Sequence, residues 1–214
     1  MLNEVQKEEG TKVKGRFQEL VFVEPIEQLL YLASTQIDAS RTMQNDDSLI
    51  DSLASLAKKT GFVSQNFSEA TAQALAPLEP FAAYVITQAI QRYGQNERSL
   101  FSFLNARGRN SLSEYEGKIY QLQCCYDYIY YNFYSYLKEA NADSMQWSSM
   151  QVAIERVEGQ LWDTKTDLVD AIKLVKAIGL LNLFGNASFK MNREDTALYA
   201  KTALNIENPT GLLK

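Results

Sequence analysis

The chain has 214 residues, 46% of them hydrophobic, and a formal charge of −5 from 26 acidic and 21 basic side chains. That is enough apolar material for one or two domains with a true core, and the acidic balance argues against a broad nucleic-acid-binding face. Histidine is absent, which removes Ser-His and Cys-His nucleophilic systems, histidine general bases and every histidine-containing zinc site.

The cysteines, Cys124 and Cys125, are adjacent in a helical pattern, where a disulfide is strained, and two thiols are too few for structural zinc. A reduced, cytoplasmic protein is expected. The longest apolar runs, LVFV and IGLLNLF, fall far short of the roughly 20 residues that cross a bilayer. The first ten residues are polar and carry no signal-peptide core.

In chain order, GRFQELVFVEP (15–25) is a turn followed by a short apolar strand that Pro25 ends. One strand cannot satisfy its own backbone hydrogen bonds, so it belongs to a sheet formed with other segments. From Ile26 to Ile37 apolar residues recur at helical spacing behind a proline in the first turn. A second helix is predicted over Asp47–Lys58, stopped by Gly61. A third, within PLEPFAAYVITQAIQRYG, has its apolar stripe on Leu78, Phe81, Ala82, Val85, Ile86, Ala89 and Tyr93.

Asn96 is a suitable N-cap for ERSLFSFLNA, whose run of Leu100, Phe101, Phe103 and Leu104 predicts a helix that is substantially buried. GRNSLSEYEG reads as a turn and a short helix, and a long tyrosine-rich helix is expected from about Lys118 to Ala140. Its tyrosines are read as core residues with wet hydroxyl ends; base stacking is poorly supported, since no cations interleave with them. Helices follow at Trp147–Glu158, Asp167–Phe184 and, capped by Asn192, across NREDTALYAKTALN, with PTGLLK opening one more. The predicted fold is a mainly α, multi-helical bundle with a short N-terminal β-strand.

No GxxxxGK[ST], G-x-G-x-x-G or nucleophile elbow occurs. Acid pairs such as Asp46-Asp47 read as caps and solvated charge. What remains are two arginine-centred stretches. GRFQELVFVEP followed by a helix, then RYGQNERSLFSFL, YDYIYYNF and LVDAIKLVKAIGLLNLFG, resemble in that order the C-terminal half of large bacterial P-loop ATPases of the AAA/STAND kind.

That resemblance, over about residues 11–214, implies the end of an ATPase core at 1–24, a helical lid-like domain at 25–110, and a region at 111–214 leading into a partial winged-helix-like unit. It implies nucleotide-sensing roles for Arg98, Arg16 and Asn96. Arg16 occupies the arginine-finger position and Arg98 the lid position that senses a γ-phosphate; a planar, permanently charged guanidinium suits both tasks. An arginine in the first turn of a buried helix also needs an anionic partner.

Walker motifs are absent from this chain, so it is expected to be no enzyme and to bind no cofactor or metal alone. ATP and Mg are implied only for a protein that adds an upstream core, which, or a neighbouring subunit, is the expected partner. The expected function is thus a non-catalytic lid that couples nucleotide state to downstream helices. The alternatives are an all-helical protein–protein interaction module using the tyrosine-rich surface and, behind it, a helix-turn-helix DNA reader using Lys173, Lys176, Lys190, Arg193 and Lys201.

Overall fold

The computed structural model describes residues 25–37, 46–94, 97–139 and 142–213. The expected strand before Pro25, with Arg16, lies outside these residues, as does Asn96. Among the described residues the fold is all-α: eleven α-helices and one 3-10 turn, with a single isolated parallel bridge between Leu78 and Tyr120.

The first three helices are α1 (Ile26–Gln36), α2 (Asp47–Lys59) and α3 (Glu69–Ala74). Asp46 caps α2 by accepting from the Leu49 N–H, and Ser68 caps α3 from the Thr71 N–H, each satisfying a donor that a helix start leaves open. Gly61 ends the α2 segment at φ +71°, a left-handed conformation that favours glycine. There the backbone also passes close to Ser188: a Cβ on Gly61 would lie 2.6 Å from the Ser188 carbonyl oxygen.

Helix α4 (Pro80–Tyr93) is the centre of the structure. It packs against α1, α2 and three further helices: α5 (Glu97–Asn105), α6 (Leu122–Asn132) and α9 (Lys165–Phe184). The apolar stripe expected for α4 is buried in full, but the burial is wider than a stripe: only Tyr84, Gln91 and Arg92 escape it. On a helix enclosed on nearly every side the solvent-facing strip is narrow, so even Thr87 and Gln88 are buried, each with a carbonyl to donate to, Ala83 and Phe184.

The tyrosine-rich segment does not form the one long helix expected from its periodicity. It divides into α6 and α7 (Tyr134–Lys138). Residues before Leu122 are spent elsewhere: the Tyr120 N–H donates to the Pro77 carbonyl at 2.7 Å, and its hydroxyl donates to the Asn110 carbonyl at 2.5 Å. At the other end Phe133 leaves helical geometry (φ −113°, ψ 17°), and its ring sits 6.1 Å from that of Tyr93 and 6.2 Å from that of Tyr128. Tertiary contacts override a local pattern here.

Helix α8 (Ser144–Glu158) begins three residues earlier than expected and lies against α9. Asp143, at its start, does not cap it; its carboxylate accepts from the Tyr93 hydroxyl at 2.6 Å and from Arg92 at 3.4 Å. Helices α10 (Arg193–Thr202) and α11 (Pro209–Leu212) close the described chain, with Asn192 capping α10 as expected. One hydrophobic core runs through residues from α1 to the end of α10.

Replacing Gly61 with alanine should destabilise the fold by about 2 kcal/mol, since the left-handed φ and the Ser188 backbone act against any Cβ. Urea unfolding of Gly61→Ala beside the parent checks this; an unchanged midpoint contradicts the close approach.

Candidate functional site

Arg98 is the one of the three proposed nucleotide-sensing residues that lies among the described residues. It sits in the first turn of α5, and its side chain is exposed. The expectation that α5 is substantially buried holds for one face only. Leu100, Phe103 and Leu104 are buried against α1, α4 and the 3-10 turn at Leu112–Glu114, whereas Arg98, Phe101, Ser102 and Asn105 face solvent.

The Phe103 ring is held edge-on between Tyr120 and Tyr128, with centroids 5.5 and 4.8 Å away. Such pairs add to the burial energy and fix the helix about its axis. Arg98 therefore needs no protein acid, because water solvates it, and none of the ion pairs among the described residues includes it. With Phe101, Ser102, Asn105 and Ala106 it borders a shallow depression of about 580 Å³. The Ser102 hydroxyl donates to the Arg98 carbonyl at 2.9 Å, and the Arg98 guanidinium is the charged donor among the residues that border the depression.

A residue that the sequence reading passed over is Glu79, which is 0% exposed. It is the N-cap of α4: its carboxylate accepts from the Phe81 N–H at 2.8 Å, the Ala82 N–H at 3.1 Å and the Tyr199 hydroxyl at 2.8 Å. Burial pushes its pKa up to about 7, against the three hydrogen bonds, which pull it down. A carboxyl poised near neutrality is a usual mark of acid–base catalysis. Here it is sealed beneath Phe81 and Tyr199, and burial drives the Tyr199 hydroxyl and the nearby Cys125 thiol well above their ordinary values. The cluster joins helices and presents no acid, base or nucleophile to a substrate. Its sequence signal was a glutamate directly before a proline that opens a helix, a position where a carboxylate caps.

The two cysteines are free thiols, Cys125 buried and Cys124 partly so. Among the described residues no three His, Cys, Asp or Glu side chains are grouped to hold a metal, and no helix is long and apolar enough to cross a membrane. Of the tyrosine-rich segment, Tyr120, Tyr126 and Tyr128 are buried while Tyr131, Tyr134 and Tyr136 are exposed, so its tyrosines divide between core and surface. Two of the five cations considered for DNA binding already face acids: Lys173 lies 2.8 Å from Asp170 and Lys176 2.6 Å from Asp127. No known protein family, curated protein or solved structure matches the chain.

Because the folded carboxyl of Glu79 titrates above its unfolded value, its stabilising contribution is complete below about pH 4.5 and is lost as pH rises through about 7. The difference is on the order of 3 kcal/mol. Glu79→Gln, which cannot ionise, should therefore lose less stability than the parent between pH 5 and pH 7.5 in urea melts; parallel pH profiles for the two proteins contradict the assignment.

Proposed function

We propose that this chain is a non-catalytic, cytoplasmic helical lid region of a larger P-loop ATPase. In this reading Arg98 meets the terminal phosphate of a nucleotide held by another part of the protein, and the movement passes to the helices that follow. The observation that carries the proposal is the state of Arg98: a solvent-facing guanidinium without a salt bridge among the described residues, on a helix whose opposite face is locked into the core. A cation so held approaches a phosphate without first breaking an internal ion pair, and its backbone is already ordered.

The chemistry is electrostatic. Charge that develops on a transferring phosphoryl group is offset by a fixed positive group, and no nucleophile or general base is asked of this chain. Lid closure would bring Arg98 to the phosphate and exclude water from it. Arg16 and Asn96 belong to the same proposal as a finger toward a neighbouring subunit and as the cap that starts α5. ATP and Mg would be held by the core, and α9 and α10 would begin the winged-helix-like unit that receives the motion. The two free thiols, in a chain without an expected disulfide, accord with a reducing compartment.

The chain alone should neither bind nor hydrolyse ATP measurably. Joined to its P-loop core, it should support turnover that Arg98→Ala lowers by at least tenfold, while the variant's unfolding midpoint stays within about 0.5 kcal/mol of the parent, as expected for an exposed site. Phe103→Ala should do the reverse to stability, costing about 3 kcal/mol or more through the cavity it opens. An Arg98→Ala enzyme with the parent's rate would exclude the sensing role.

A further inference from the structure

A second feature, sharing no residue with the Arg98 depression, lies at the other end of the chain. Between the second half of α9 and the start of α10 is a cavity of about 660 Å³, within the range of roughly 300–1,000 Å³ typical of small-molecule sites. Its floor and walls are Ile178, Leu181, Phe189 and Met191, and its rim carries Lys190 and Arg193. Among the described residues no carboxylate lines it. On a chain of net charge −5 this is a local reversal of sign, and both cations are exposed and stand outside every ion pair among the described residues.

The wall that bears these groups is built rigidly. The Lys190 N–H donates to the Thr60 carbonyl at 2.8 Å, the Asn186 amide donates to the Gly61 carbonyl at 3.1 Å, and the Ser188 N–H donates to the Asn186 side-chain oxygen at 2.7 Å. Phe189 packs edge-on to Phe62 at 5.0 Å, and a Cβ on Gly185 would lie 2.5 Å from its ring, so no side chain larger than hydrogen fits beneath it there. The loop between α9 and α10 is thus ordered by backbone and side-chain hydrogen bonds before any ligand arrives, which lowers the entropic cost of binding. Ile178, Phe189 and Met191 remain only partly buried, leaving apolar area that a ligand can still remove from water.

From this combination we infer that the cavity between α9 and α10 binds a small organic anion with an apolar body, such as an alkyl or aryl carboxylate or sulfonate. The body lies on Ile178, Phe189 and Met191, and the anionic head meets Lys190 and Arg193. Thr196 lines the same space from α10.

The test is a fluorescence titration of the whole chain with 1-anilinonaphthalene-8-sulfonate, which supplies both an anionic head and fused rings. One saturable site per chain is expected, with octanoate displacing the dye and octanol failing to do so. The double variant Lys190→Gln/Arg193→Gln, changed only at exposed positions, should weaken the dye by about fivefold or more. Thr196→Phe, which fills the space and removes no charge, should weaken it comparably, with unchanged far-UV circular dichroism in both. Dye affinity retained in either folded variant, or displacement by octanol as effective as by octanoate, overturns the inference.

Discussion

A buried carboxyl group, in no ion pair among the described residues, joins the central helix α4 to α10. Glu79 opens the central helix α4 and takes the Tyr199 hydroxyl of α10, 120 residues further along the chain. The two N–H groups at the head of α4 and that hydroxyl replace water around the carboxylate. Remaining attachments of α10 are arranged around this point: Lys59 holds Asp195 at 2.6 Å, and Gln121 donates to the Ala203 carbonyl at 2.6 Å. Lys59 is largely exposed, so its pair is worth little by itself. The buried link carries the larger stake, because removing either partner strands the other in the core.

The rest of the interior is spent in the same manner. Asp143 gathers Tyr93 and Arg92, Trp147 donates to the Tyr93 hydroxyl at 3.2 Å, and Arg92 also lies over the Phe184 ring at 4.8 Å. Among the described residues no buried side-chain polar atom lacks a partner. A core whose polar groups are all committed to one another favours a single arrangement. The roles proposed above accordingly use surface cations, Arg98 at one place and Lys190 with Arg193 at another.

Much of this architecture was legible in the residues. Caps at Asp46 and Asn192, the stop at Gly61, and the helical spacing from Ile26 to Ile37 place most helices within a few positions, because local hydrogen bonding and periodicity are local facts. The breaks in the tyrosine-rich segment were not legible: what unmakes the helix before Leu122 is a pairing of Tyr120 with Pro77, distant in sequence. The exposure of Arg98 was hidden for a related reason. Four apolar residues within five positions of α5 read as an enclosed helix, and only the packing shows that Phe101 is left facing outward at 36% exposure. Glu79 was passed over because a capping carboxylate is written the same way whether it ends in water or in the core.

The anchoring of α5 through Phe103 also sets how little has to be ordered when its outer face meets a partner. The helix is already packed in place, so capture of an anion by Arg98, as proposed, would freeze the torsions of one side chain, about 2 kcal/mol of rotational freedom, and leave the backbone as it was. In the proposed sensing role, recognition at this position would be a matter of reach and angle, and its speed would be governed by encounter with the anion instead of by refolding of the surface that receives it.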